Sequence, residues 1–240
     1  MMPNWSAPQR PAVYAEESLV TAILDGTYPP GSNLPGERDL AAQLGVTRPT
    51  LRETLQRLAC EGWLTIQQGK PTSVNDYWQD GGLSVLGALV RYSQRLPPDF
   101  VPNLLEVRLA LAPAYARSAV ERAPGRVADY LAAYDGLDGT PEAYAAFDWG
   151  LHRALTLASG NPVYTWILNG FSGFYESMAR RYFARPEARA SSRAFYASLL
   201  ATAQTGDAGQ AEAITRQVMQ DSLELWRHAS SRGIGHQPGR

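Results

Sequence analysis

The stretch from Leu34-Pro-Gly-Glu-Arg38 to Trp63-Leu-Thr-Ile66 constrains this chain more than any other. Within it Leu51, Leu55 and Leu58 recur at steps of four and three while Arg48, Arg52 and Gln56 take the opposite side, so one helical face packs and the other is presented outward. Thr47 supplies an N-cap oxygen, Pro49 falls in the first turn where its missing N–H costs little, and Gly62 suits the left-handed residue that closes a helix. A shorter helix carrying Leu40 and Leu44 comes before it, and Gly45 permits a sharp corner between the two. After it, Trp63-Leu-Thr-Ile66 and Thr72-Ser-Val74 flank Gln67-Gln68-Gly69-Lys70, a hairpin with glycine in its turn. Two short helices, a corner and a hairpin make a winged helix-turn-helix, a unit whose second helix enters the major groove of DNA.

The candidate contacts follow from that geometry. Arg38, Arg48 and Arg52 carry planar forks that can grip guanine O6 and N7, or a phosphate, with two hydrogen bonds. Arg57 shares their helix, and Gln68 and Lys70 at the hairpin tip face the sugar-phosphate backbone or the minor groove. A formal net charge of −1 does not argue against DNA, because affinity depends on local clustering of cations rather than on the total. Cys60 is the sole cysteine, which excludes an intrachain disulfide and a cysteine-based zinc cluster; its place on the second helix predicts a small core residue. The amino terminus lacks a basic start followed by an apolar run, and no later run is long enough to span a bilayer, so a cytoplasmic protein without membrane contact is expected.

The 240 residues, 45% of them hydrophobic, are enough for two cores. We read 1–77 as the DNA-binding domain, with a first helix near Ala12 to Leu24 that Tyr28-Pro-Pro-Gly31 stops. Residues 78–84 read as a linker, 85–230 as an all-α domain and 231–240 as a flexible tail. Helical spacing runs near 84–94, 99–122, 126–135, 141–159, 162–183, 187–205 and 208–230, interrupted by Pro97-Pro98, Pro124-Gly125, Gly136 to Pro141, Gly160-Asn-Pro162, Pro186 and Gly206. The fold class is mainly α: a winged helix-turn-helix followed by an antiparallel helical bundle.

Several bundle helices place polar groups on the face that packs. The stripe Val101, Leu104, Arg108, Leu111, Tyr115 sets an arginine among aliphatics, and Phe171, Tyr175, Met178, Tyr182 lines up two phenols. Thr215, Met219, Ser222 and Trp226 share a side of the last helix, and Tyr196 with Leu199 does so in the one before. A cavity for an amphipathic anionic ligand would employ all of them; otherwise Arg108 pairs with Glu106 or Asp221 and the phenols are core residues.

The combination Tyr28-Pro-Pro-Gly31, Leu34-Pro-Gly-Glu-Arg38, Gly45-Val-Thr-Arg48, Leu51-Arg52-Glu53 and Glu61-Gly62-Trp63-Leu64 resembles the GntR superfamily of bacterial transcription regulators. Thr65-Ile-Gln-Gln-Gly-Lys-Pro-Thr72, Asn103-Leu-Leu-Glu-Val-Arg108, Ala158-Ser-Gly-Asn-Pro162, Ile167-Leu-Asn-Gly170 and Tyr182-Phe-Ala-Arg-Pro-Glu-Ala-Arg189 narrow the likeness to its FadR subfamily. That resemblance implies a homodimer on a palindromic double-stranded DNA operator, released by long-chain fatty acyl-CoA, with no other cofactor. By position it implies DNA contacts from Arg38, Thr47, Arg48, Thr50, Arg52, Gln68, Gly69 and Lys70. It implies an acyl-CoA site of Leu105, Arg108, His152, Tyr175, Tyr182, Tyr196, Arg216, Met219, Ser222 and Trp226. Pro49, Gln68 and Met219 stand where that subfamily has a hydroxyl residue, a histidine and a glycine; the added bulk of Met219 bears on acyl-chain length.

A second branch of the superfamily senses a small carboxylate through a metal. Asp148 and His152, one turn apart, match its opening Asp-x-x-x-His, but the later positions hold Phe195, Tyr196 and Asp221, with His228 and His236 near or beyond the last helix. His152 therefore reads as a hydrogen-bonded residue lining the pocket. An enzyme acting on acyl thioesters is disfavoured, because the chain lacks a Gly-x-Ser-x-Gly elbow and its one cysteine belongs to the DNA-binding segment.

Overall fold

The computed structural model describes residues 10–92, 97 and 99–233. Residues 1–9, which bear on the leader reading, lie outside them, as do Pro98, His236 and the tail from 234 onward. The chain divides into two compact units, Met1–Leu96 and Pro97–Arg240.

In the first unit, α1 (Pro11–Leu24) packs against α3 (Arg48–Cys60), and α2 (Glu37–Leu44) packs on α3 in turn. Gly45 takes φ +65° at the corner, and the Thr47 hydroxyl accepts the Thr50 amide at 3.3 Å as the N-cap. At the far end Gly62, φ +89°, turns the chain so that the Trp63 amide reaches the Leu58 carbonyl at 2.9 Å. The leucine stripe closes the core as its spacing predicts: Leu51, Leu55 and Leu58 are buried beside Leu19, Ile23, Leu40 and Trp63. The hairpin is β1 (Leu64–Thr65) antiparallel to β2 (Ser73–Val74), Leu64 opposite Val74, with Gly69 at φ +75° in the turn.

The expected linker holds structure. Asp76 caps a single helical turn, α4 (Tyr77–Asp80), accepting the Trp78 amide at 3.1 Å, and α5 (Leu83–Tyr92) follows at once. Helix α5 buries Val85 and Leu89, packs against α1 and falls within the compact unit Met1–Leu96. Cys60 is a correction as well. It is exposed, because it lies about 200° around the helix from Leu58, off the buried stripe.

The second unit is helical throughout its described residues: α6 (Phe100–Arg122), α7 (Pro124–Leu131), a 3₁₀ turn (Tyr134–Gly136), α8 (Pro141–Ala158), α9 (Pro162–Gly170), α10 (Ser172–Phe183), α11 (Pro186–Thr205) and α12 (Ala208–Gly233). Residues 231–233 of the expected tail thus continue α12. Pro141 and Pro162 open helices, as the segments 141–159 and 162–183 expected, and Pro124 and Pro186, read as breaks, are also the first residues of helices, where a missing N–H leaves no bond unmade. The segment 162–183 is two helices, not one. At the break the Ser172 hydroxyl bonds the Asn169 carbonyl at 2.7 Å and the Phe171 amide closes a three-residue turn on Leu168, competing with the α-helical ladder. Helix α6 packs against α12 and α8, α10 lies on α8, and α11 on α7 and α12, around a core that includes Ala116, Leu131, Leu151, Leu155, Phe183 and Leu199.

Candidate functional site

The first unit presents its cations outward. Arg38, Arg48, Arg52, Gln68, Gly69 and Lys70 are all exposed, on the start of α2, on α3 and on the hairpin tip. A groove of about 620 Å³ between them is bordered by Asn33, Gly36, Glu37, Arg52, Gln68 and Lys70. Arg52 is not loose: its Nε donates to Glu37 Oε2 at 2.6 Å, which leaves the two terminal nitrogens of the fork to project. Arg38 leans on Asp39 at 3.1 Å. The Thr47 and Thr50 hydroxyls hydrogen-bond each other at 2.8 Å, so both serve the helix start. Arg57 departs from the group, since it forms an ion pair with Glu16 of α1 and braces the core side.

The second unit turns an arginine inward. Arg108 of α6 borders a cavity of about 70 Å³ walled by Leu105, Tyr175, Tyr182, Ser222, Trp226 and apolar neighbours such as Met178. Its partner is neither Glu106, which pairs with Arg227, nor Asp221, which accepts from Gln217. Arg108 Nη2 donates instead to Asp148 Oδ2 at 3.0 Å, from α8, forty residues away. Asp148 is 5% exposed and also accepts the Tyr175 hydroxyl on Oδ2 and the Tyr196 hydroxyl on Oδ1 at 3.1 Å. His152, wholly buried one turn along α8, meets Arg108 Nη2 through Nε2 at 2.5 Å and Tyr115 Oη through Nδ1 at 2.6 Å.

The electrostatics of this cluster are settled by its contacts. Burial pushes the Asp148 carboxyl up, but His152, Arg108 and the two phenol hydrogen bonds outweigh it and take the pKa below the usual carboxylate range. Burial works against the Arg108 charge too, yet the surrounding Tyr175, Asp148 and Tyr115 hold the guanidinium protonated. Burial and the Arg108 charge lower His152 to about 4, so the ring is neutral at pH 7. A neutral ring that accepts from Arg108 on Nε2 carries its proton on Nδ1 and donates it to Tyr115. Burial raises Tyr115, Tyr175 and Tyr196, which remain hydroxyls. One cation and one anion cancel, so the buried cluster carries no net charge, although only its cation borders the cavity.

Most of the expected ligand residues meet here. Leu105, Arg108, Tyr175, Tyr182, Ser222 and Trp226 line the cavity, with Tyr182 Oη 3.0 Å from Ser222 Oγ. Tyr196 and His152 do not line it; they stand behind it, bound to Asp148 and Arg108 respectively. Met219 is buried in the core. Arg216 lies elsewhere, on the surface, paired with Glu212 at 2.9 Å. Asp148 was read only as a metal candidate, yet it organises the whole cluster. Its place on the buried stripe Tyr144, Asp148, Leu151, Leu155 is the signal that a charge was being buried and needed a cation.

Comparison with known proteins agrees with both halves. Residues 11–74 match the family described as "Bacterial regulatory proteins, gntR family", and residues 75–233 match "FadR C-terminal domain". The chain belongs to the FadR subfamily of GntR transcription regulators. Proteins named "Fatty acid metabolism regulator protein" from Cronobacter sakazakii and Yersinia pestis are each 43% identical to it over 218 residues, 91% of this chain and 91% of theirs. A solved structure described as "Lar controls the expression of the Listeria monocytogenes agr system and mediates virulence" shares the fold, with TM-score 0.65 at 16% identity over 93% of this chain and 99% of that one. This FadR-family chain is accordingly a transcription factor of fatty acid metabolism, and its relatives are regulators rather than enzymes. No helix among the described residues is long and apolar enough to cross a membrane.

Proposed function

We propose that the protein binds a palindromic operator as a homodimer in the cytoplasm and releases it when a long-chain fatty acyl-CoA enters the cavity beside Arg108. The observation that carries this reading is the chamber wall: apolar residues around an arginine whose charge Asp148 already cancels. An ionised carboxylate ligand would find no unmatched cation there, whereas a neutral thioester carbonyl can accept an N–H from Arg108 while its alkyl chain displaces water from apolar surface. The cavity volume of about 70 Å³ is far below the roughly 300–1,000 Å³ of a ligand-filled pocket, so entry must spread the surrounding helices. That spreading is the event which, in a dimer, would change the placement of two reading heads on half-sites one turn apart.

The metal-carboxylate alternative is not supported by the same residues. The oxygen and nitrogen that would ligate a metal, Asp148 Oδ2 and His152 Nε2, both accept from the cationic Arg108, and a second cation there would be repelled. The test is calorimetric titration with palmitoyl-CoA, with coenzyme A alone as control, beside fluorescence anisotropy on a duplex selected from a random pool. Micromolar binding with at least tenfold weaker DNA affinity supports the reading; no binding of palmitoyl-CoA, or unchanged DNA affinity when it is bound, refutes it.

A further inference from the structure

We infer that His152, held by Tyr115, is a positioning residue that fixes the direction of the Arg108 guanidinium and thereby sets how tightly the effector is bound. The inference rests on the effector reading above.

His152 cannot touch a ligand in the cavity, because its ring is wholly buried and does not border that space. Both of its nitrogens are nevertheless committed. Nε2 takes the same Arg108 nitrogen, Nη2, that Asp148 takes, so two acceptors from one turn of α8 pin one corner of the fork. Nε and Nη1 make no hydrogen bond among the described residues and are the donors left for a ligand. Arg108 needs the second anchor, since it borders two spaces. On its other side lies a smaller apolar cavity of about 30 Å³ walled by Val107, Leu111, Tyr115, Ile167, Leu168 and Phe171. An arginine held by the carboxylate alone can swivel about that contact toward either space; a neutral imidazole acceptor beside it removes the freedom. Tyr115 completes the device. Seven residues along α6 from Arg108, it accepts the Nδ1 proton and so keeps Nε2 bare toward the cation.

The full-length chain tests this with palmitoyl-CoA as probe. His152→Leu, which removes the acceptor at similar volume, is expected to weaken binding at least tenfold. His152→Gln, whose side-chain carbonyl can still accept from Arg108, is expected to stay within threefold of wild type. Tyr115→Phe frees the tautomer and is expected to fall between them. A residue that merely fills space would respond to volume alone, so Gln failing as badly as Leu overturns the inference, as does a folded Leu variant that binds like wild type. If His152→Leu does not fold by thermal melt, Tyr115→Phe decides: undiminished affinity overturns the proposal.

The pH profile supplies an independent readout. The groups facing His152 are Arg108 and Tyr115 from α6 and Asp148 from α8, with Tyr175 of α10 and Tyr196 of α11 behind that carboxylate. Wild-type affinity is expected to be level from pH 8 to 5 and to fall about twofold by pH 4, where half of the rings have gained a proton and turned against Arg108. A wild-type profile that stays level overturns the proposal. Wild type binding no palmitoyl-CoA at all overturns the effector reading first and this inference with it, whereas wild-type binding that His152→Leu leaves intact overturns this inference alone.

Discussion

The two units use the same side chain under opposite physics. Arg52 stands 62% exposed against a Glu37 that is 36% exposed, and Arg108 is 27% exposed against an Asp148 at 6%. The first pair sits in water, where an ion pair contributes about 0–1 kcal/mol and the fork is ready to exchange its hydration for a base or phosphate. The second pair has given up most of its water, so neither partner can be removed without stranding the other. Function in the reading head therefore depends on what is left exposed, and function in the chamber on what has been satisfied. A surface cation can be lost with the fold intact; a chamber cation is part of the fold.

Asp148→Ala strains this contrast hardest. It strands Arg108 and leaves the Tyr175 and Tyr196 hydroxyls without their acceptor. Unpaired buried charges of this kind cost about 3–5 kcal/mol, and the partial exposure of Arg108 argues for the lower end. Urea unfolding that shows less than about 1 kcal/mol of loss would mean the chamber behaves like the surface.

Acid comes next. His152 titrates at about 4 in the folded protein against 6.5 when free, so between those values the unfolded chain binds a proton that the folded chain refuses. Stability is then fully present above pH 6.5 and is lost as pH falls toward 4, by up to about 3 kcal/mol at roughly 1.4 kcal/mol per unit. Asp148 reinforces the trend at still lower pH, because its own folded value is depressed. Denaturant melts at pH 7 and 4.5 measure the slope, and a variant lacking the imidazole should flatten it.

How much of this was legible in the residues differs between the units for a physical reason. In the reading head the signals are local: Thr47 caps the helix that begins beside it, Gly62 closes the same helix, and Gly69 turns a hairpin whose strands lie within ten residues of each other. Interactions of that range are written in spacing. In the bundle, periodicity placed Arg108, Tyr175, Tyr182, Ser222 and Trp226 on packing faces, and all five line the cavity. It could not say that Arg108 meets Asp148 across 40 residues or that Tyr196 meets it across 48, because pairing between helices leaves no period in the chain. The Asp-x-x-x-His pair was visible and its partner was not, which is why a metal was considered where an arginine stands. Pro124 and Pro186 were read as breaks ahead of helices near 126 and 187, when each is the first residue of its helix, for a related reason: proline marks a boundary without saying on which side of it the helix includes it.

Arg52→Ala sharpens the comparison from the exposed side. Its fork is oriented by Glu37 and borders the groove with Gln68 and Lys70, so its loss should weaken DNA binding by about 1–3 kcal/mol. Protein stability should change by no more than about 0.5 kcal/mol. If the arginine grips a base, discrimination at one position of the selected duplex relaxes; if it grips a phosphate, all sequences weaken alike and the salt slope falls by about one. An unfolding midpoint that moves along with DNA affinity would erase the distinction between the two arginines.

The smallest effect is expected at Arg216, the one arginine of the proposed ligand set that the fold leaves on the surface. Glu212 bonds both Arg216 at 2.9 Å and Arg117 at 3.1 Å, so Arg216→Ala leaves that carboxylate with a cation still in place. Nothing buried is stranded, and the stability change should stay below about 0.5 kcal/mol. Because Arg216 borders no part of the Arg108 cavity, its removal should lower palmitoyl-CoA affinity less than threefold and by the same factor for short and long acyl chains. A loss that grows with chain length would instead place Arg216 beside the alkyl chain, which would require α12 to turn on ligand entry and carry a surface cation into the chamber.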